Sequence, residues 1–391
     1  MFKLKSLFLL LAIISFSVSC TKEEGVKVKK EGEIAKKEVI TGAKIIHNTA
    51  PFWGETPKVK LEFVQKIGVL EGNDENYILY NPCDVIKDGE GNIYVLDSGN
   101  NRIQKYDNAG KFVKTIGSKG QGPGEFDRTR DFQLDSSNNI VVGDYGNNRF
   151  QIFSLEGEFI KTIRFKERII EFSLMESGNI LSWGNYNAFV WRSGENLKNA
   201  HLFAVFNQNG EFIYGFGKVK DYGEFGASFD GNFVRYEIWK DGNIYVLYNR
   251  QNKIEKYSPE GTLLFTADRP LNYELKGEMA ELPDGQKYLR LPTASFHLGV
   301  DYKGRIWINS YSKQPEDQND SDTPSTQTKT PAIDHYIIEI FDNEGILLGY
   351  LPCPVKFIVL RIYESSLFLI DKIEEQCIYE YKIIETQTTE K

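Results

Sequence analysis

Three carboxylates, an arginine and an imidazole occupy one position of a repeat. Asp84, Asp131, Glu171, Arg235 and His297 each stand nine residues before the first apolar residue of a returning phrase, and Ile358 holds the sixth place. Grouped acidic side chains of this kind supply the oxygen donors of a divalent cation site. With an arginine and a histidine beside them, they equally form a dipolar ring able to orient a charged ligand. A third outcome is a ring of hydrated ion pairs that neutralises itself. The residue types leave these alternatives, and the presence of a metal, open. Of the four histidines, His297 alone belongs to the column, while His47, His201 and His335 lie elsewhere. No GxSxG, HExxH or CxxC arrangement is present, so no catalytic residue is assigned.

The elements that must position this column come from the phrase itself. Gly91-Asn92-Ile93-Tyr94-Val95-Leu96-Asp97 returns at 138–144, 178–183, 242–247, 304–309 and 366–371, each time as a turn followed by a short β-branched and aromatic run. Fixed-interval self-similarity of this kind marks a repeat architecture. A strand precedes each phrase and two follow it. The third ends on Tyr106, Phe153, Phe206, Tyr257, Phe341 or Tyr381, and in the first five cases a glycine stands four residues later, where a hairpin needs positive φ. Six four-stranded units predict an all-β, six-bladed β-propeller over residues 58–391. The last unit lacks its outer strand. Leu61–Gly68 copies Phe112–Gly117, so an N-terminal strand is expected to pair into the last blade and close the ring.

The first two units resemble NHL repeats, through Asn92-Ile93-Tyr94-Val95, Asp97-Ser98-Gly99-Asn100-Asn101-Arg102 and the glycine-rich Gly117 to Phe126. Asp144-Tyr145-Gly146-Asn147-Asn148-Arg149 repeats the turn. The chain thereby resembles bacterial six-bladed NHL or TolB-like propeller lipoproteins, although the later blades lack the Asp…Asn-Arg turn. Metal-dependent lyases and lactonases of related fold place histidines or carboxylates around a channel ion. The resemblance therefore implies an alternative activity of that class, with calcium held by Asp84, Asp131 and Glu171. Three zinc-binding histidines of the lyase kind are not available in one place here.

Connection lengths divide the faces. Gly117–Thr129, Gly184–Asn199, Gly217–Asn232, Asp268–Ala294 and Tyr311–Asp334 are long, and all join second to third strands or one blade to the next. In an antiparallel blade those connections emerge together, so one face is elaborated, and loops on a rigid scaffold tend to carry binding. The column falls at the channel mouth on that face. Within the loops, 117–124 is a poor phosphate cradle because no helix follows and Pro123 removes a donor. An EF-hand starting at Asp317 lacks its turn glycine and its bidentate glutamate.

The ends give the compartment. Met1–Lys5 is basic and Leu7–Val18 is apolar but too short to cross a bilayer, so residues 1–20 read as a signal peptide. Ser17-Val18-Ser19-Cys20 resembles a bacterial lipobox, although that motif prefers a bulky aliphatic where Ser17 stands. Cys20 is thus the expected lipidation site, and 21–57, rich in lysine and glutamate, is expected to be a flexible tether. The net charge is −8, from 47 basic and 55 acidic residues with no basic stripe, which excludes a nucleic-acid footprint. Cys83, Cys353 and Cys377 remain; Cys83 and Cys353 fall near the ring seam, where a disulfide would need Cα atoms within about 7 Å. The expectation is a monomeric, lipid-anchored binding module of the bacterial cell envelope, facing the periplasm or the exterior. It takes a protein, peptide or glycan on its looped face and needs no cofactor.

Overall fold

The computed structural model describes residues 35–40, 42–165, 171–183, 200–223, 225–281, 287–313 and 332–386. Six sheets form a ring. Blade one contains Pro82–Lys87, Ile93–Asp97, Arg102–Tyr106 and Phe112–Ile116. Blade two contains Thr129–Leu134, Ile140–Asp144, Arg149–Phe153 and Phe159–Arg164. Blade three contains Phe172–Leu174, Ile180–Trp183, His201–Phe206 and Phe212–Lys218. Val234–Ile238, Ile244–Tyr248, Ile254–Tyr257 and Leu263–Asp268 make the fourth blade. The fifth is Ser295–Val300, Ile306–Tyr311, Tyr336–Phe341 and Leu347–Pro352. The sixth combines Val359–Tyr363, Ser366–Asp371 and Cys377–Glu385 with the early strand Val59–Ile67, which runs antiparallel to Cys377–Glu385.

The phrase residues form the second strand of every blade, and burial explains their composition. Ile93–Asp97, Ile140–Asp144 and Ile244–Tyr248 are buried along their whole length because each faces a neighbouring blade on both sides. Such strands read as continuous apolar runs. Outer strands meet solvent, and Phe112–Ile116 is correspondingly exposed over Val113, Lys114 and Thr115. Gly110, Gly157, Gly210, Gly261 and Gly345 carry φ between 73° and 84° at the tight turns from third to outer strand, a conformation that side-chain-bearing residues adopt at a cost. First strands of adjacent blades contact one another all the way round the axis.

One expectation is corrected. The stretch read as tether is folded from Ala35: Ala35–Ile40 pairs with Ala43–Asn48, which lies parallel to Leu263–Asp268 and widens blade four to six strands. Phe52 N and Trp53 N then donate to Leu347 O and Leu348 O on the edge of blade five. The reason is local, since Ile46 is fully buried against that open edge and offsets the ordering of a short segment. The signal segment, Cys20 and residues 21–34 lie outside the described residues. The pairing of the cysteines, which the sequence leaves open, is also answered. Cys83, Cys353 and Cys377 are all free thiols, and Cys353 Sγ contacts Asn309 within blade five instead of Cys83. Among the described residues no helix is long and apolar enough to cross a membrane.

Candidate functional site

The first strands place the column at the mouth of the axis, and three of them do so through a β-bulge. The pairing register shifts between Pro82 and Asp84, between Thr129 and Phe132, and between Ser295 and His297. A bulge inserts a residue and re-aims its neighbours: it leaves Asp131 outside the ladder, and it falls immediately before Asp84 and His297, which still pair with Leu96 and Asn309. Asp131, Glu171, Arg235 and His297 line one cavity of about 550 Å³. Asp84 lies behind it, buried against Arg361. The sixth member is not Ile358: Val359, not Ile358, pairs with Ile370, the place taken by Leu96 opposite Asp84, and Val359 lines the cavity. The cause is the two-residue turn Glu364-Ser365, shorter than the corresponding turns of blades one to five. It moves the register by one and brings Arg361 into the channel.

Sequence reasoning missed Arg361, and it organises the floor of the cavity. Its Nε donates to Asp84 Oδ1 at 2.7 Å and its Nη2 to Oδ2 at 3.3 Å. Nη1 lies 3.2 Å from His297 Nε2, while His297 Nδ1 lies 2.9 Å from Leu298 O. Arg361 donates, so Nε2 accepts and Nδ1–H faces the carbonyl, which fixes a neutral imidazole. Burial, then Arg361 and Arg235, hold the His297 pKa well below its ordinary value. Glu171 is taken by Arg235 at 3.0 Å.

Asp131 behaves differently. It is buried, accepts from Phe172 N at 3.0 Å and meets the Tyr145 hydroxyl. Burial pushes its pKa up to about 8, with hydrogen bonds from Tyr145 and Phe172 opposing and the nearby Glu171 and Asp84 adding to the rise. The carboxyl is therefore protonated at neutral pH. Glu237, one layer further along its strand, is pushed up to about 7 by burial against the pull of Arg361.

These contacts test the cation reading. A divalent ion needs free carboxylate oxygens. Here Asp84 and Glu171 are occupied by guanidinium groups, Asp131 carries a proton, and His297 presents its lone pair to Arg361. Among the described residues no group of three or more His, Cys, Asp or Glu side chains is placed to hold a metal ion. The donor set as arranged does not fit calcium or zinc.

The rim is basic. Lys119, Arg130 and Lys372 line the cavity and have no ion-pair partner among the described residues, while Arg128 is only 4.0 Å from Asp127. Burial lowers the Lys372 pKa, and so do Arg235 and Arg130, so these three cations feel one another. Asn81, Ser98, Asn101 and Thr129 add neutral polar groups, and Trp183 and Phe233 add an aromatic wall. The two rings meet edge to face at 4.9 Å, and the Arg235 guanidinium lies 4.8 Å from the Phe233 centroid.

The remaining sequence candidates resolve as structural. Asp97 accepts from Tyr80 N and Arg102 Nε, and Arg102 reaches back to Ile78 O. Asp144 and Arg149 repeat this with Asp127 N, Gly122 O and Glu125 O. Each pair pins the connection that leads into its blade. In the glycine-rich loop, the amides of Gln121 and Gly122 are satisfied by Glu125 Oε2, so they are not presented to a phosphate. His47 sits on Asp268 at the edge of blade four and His201 begins a third strand. The acidic stretch from Gln314, including the segment at Asp317, lies outside the described residues.

This ring of six four-stranded antiparallel sheets around an axial mouth defines a six-bladed β-propeller. Residues 61–220 match the model of the family DUF5128, described as a 6-bladed beta-propeller. Two solved structures from Bacteroides share the fold. A protein of Bacteroides fragilis, inferred to be exported, aligns with a TM-score of 0.56 and 12% identity, covering 88% of this chain and 100% of that one. A member of the DUF4221 family from Bacteroides vulgatus aligns with a TM-score of 0.53 and 12% identity, covering 84% and 98%. At this identity the likeness is one of fold. No curated protein matches the chain.

Proposed function

We propose that the protein is a lipid-anchored propeller of the bacterial cell envelope, facing the periplasm or exterior, that binds a protein, peptide or glycan at its axial mouth. The carrying observation is the cavity of about 550 Å³, to which the long connection Gly117–Thr129 contributes Lys119, Asp127, Arg128 and Thr129, and whose volume suits one small moiety of a larger ligand. The lipobox-like Ser17–Cys20, the NHL-like turns and the export inferred for the Bacteroides fragilis neighbour support the compartment. A metal-dependent lactonase or lyase, with calcium at the mouth, is the weaker reading because the acids are already engaged by arginines or protonated.

The test titrates envelope-derived peptides and oligosaccharides against the parent protein and an Arg128→Glu/Arg130→Glu rim variant. A ligand that binds the parent and is lost from the variant supports the mouth as the site. Ligands that bind both equally overturn it. For the anchor, lipid incorporation is measured in cells, and persistence of the lipid in Cys20→Ser rules that residue out.

A further inference from the structure

We propose that the axial mouth is an anion site and that the group it takes is the carboxylate of an acidic sugar, such as a uronic acid in a glycan. The inference rests on the binding-module reading and specifies its ligand.

The charge distribution comes first. The chain as a whole is acidic, at −8, yet the cavity concentrates cations. The acids that reach it are balanced within it, Glu171 by Arg235 and Asp127 by Arg128, and Arg361 is balanced by Asp84 behind the wall. That leaves Lys119, Arg130 and Lys372 in excess. A cleft of one sign with low-dielectric walls focuses its field on a ligand of the opposite sign. Protonation of Asp131 removes the one remaining negative charge.

Hydrogen-bonding capacity is also unspent. Arg235 Nε and Thr129 Oγ1 are buried with no hydrogen-bond partner, and both residues line the cavity. Unsatisfied buried polar groups are costly, and a ligand oxygen beside Arg235 Nε would complete the guanidinium whose Nη1 already holds Glu171. Guanidinium groups bind carboxylates strongly through such charge-assisted contacts.

The neutral part of the lining selects what carries the anion. Asn81, Ser98 and Asn101 offer amide and hydroxyl groups, and Trp183 with Phe233 offers ring surface. Polar groups beside an aromatic wall suit a hydroxylated ring, which has an apolar face and a polar edge. A free peptide amine finds no unengaged carboxylate there. The volume suits one or two sugar units rather than a folded surface.

Full-length protein in detergent is titrated with mono- and digalacturonate, with their neutral galactose counterparts, with an acidic tetrapeptide and with sodium sulfate, by calorimetry or NMR. The expected result is saturable binding of digalacturonate, weakened by added salt. Affinity for the neutral counterpart, and affinity of an Arg130→Gln/Lys372→Gln variant for the acid, should each be at least about tenfold lower, equivalent to about 1.4 kcal/mol. Arg130 is exposed, so Arg130→Gln alone serves if the double variant does not fold. Equal binding of acid and neutral sugars, unchanged affinity in the variants, or no saturation by digalacturonate overturns the proposal. If the tetrapeptide alone saturates and the rim variants lose it, the sugar assignment fails while the mouth as a binding site stands. Saturation by sulfate alone reduces the site to a general anion site and also overturns the sugar assignment.

Discussion

Arg361 in blade six grips Asp84 in blade one through two contacts, Nε to Oδ1 at 2.7 Å and Nη2 to Oδ2 at 3.3 Å. The pair spans the seam where the last blade meets the first. Asp84 is nearly inaccessible whereas Arg361 keeps a fifth of its side chain exposed, so the two partners are unequal in what their loss leaves behind. Arg361→Ala strands a buried carboxylate and should cost about 3 kcal/mol. Replacing both, as Arg361→Met/Asp84→Leu, removes the stranded charge and should recover most of that loss. Urea denaturation of the parent and the two variants decides it: equal losses in single and double variants would show that the cost does not come from a stranded Asp84, and no loss in the single variant would show that the pair contributes nothing across the seam.

Asp131 predicts a pH dependence of definite sign. Its pKa is about 8 in the folded protein against about 3.9 in an unfolded chain. Between those values the folded state holds a proton that the unfolded state does not, so stability falls as pH rises through this window and levels off above about 8. Asp131→Asn keeps an acceptor for Phe172 N and offers an amide donor to the Tyr145 oxygen, without an ionisable group. The variant should melt above the parent at pH 8, with the difference shrinking steadily toward pH 4. A gap that is constant with pH would mean that Asp131 does not titrate in this range.

What the sequence disclosed follows from how each feature is encoded. The blades were legible because second strands buried on both sides must be apolar, as Ile93–Leu96 and Ile244–Leu247 are. Four of the five ionisable column residues line the cavity because the spacing to the phrase equals the length of a regular hairpin. Arg361 was invisible for the same reason: a hairpin shorter in blade six shifts the register, and a fixed count lands on Ile358. The positive φ of Glu364 marks that turn, but glutamate is not a residue whose type announces it. Likewise, Ala43–Asn48 lacks a long apolar run, and its strand exists because blade four offers an edge.

Arg149 should matter for the site without touching it. Its side chain is buried, bonds Asp144, and donates to Gly122 O and Glu125 O in the loop that delivers Thr129 and Arg130 to the mouth. Arg149→Ala leaves the buried Asp144 without that charge partner, at a cost of about 3 kcal/mol, and removes one of two donors from Gly122 O and from Glu125 O, which Glu125 N and Gln151 Nε2 still reach. Amide exchange across Gly120–Thr129 should quicken more than exchange in blade five. Uniform acceleration in both would point to global destabilisation and remove the local role in holding Arg130.

The N-terminal segment predicts a boundary for the folded unit well before Lys58. Ile46 is fully buried in the cluster shared by blades four and five, and it sits with Phe265 and Ala267 against Gly345. Trp53 packs so closely over Gly349 that a Cβ there would lie 2.5 Å from its ring. A chain beginning at Gly42 retains these contacts; one beginning at Lys58 loses both and exposes the edge of blade four. Truncating Ile46 alone to alanine should cost about 2–5 kcal/mol, so the Lys58 chain should melt clearly below the Gly42 chain. In the full chain, Ile46→Asp should reproduce part of that drop by putting an unpaired charge against the same edge. Coincident melting of the Gly42 and Lys58 chains would return residues 42–57 to the role of a tether.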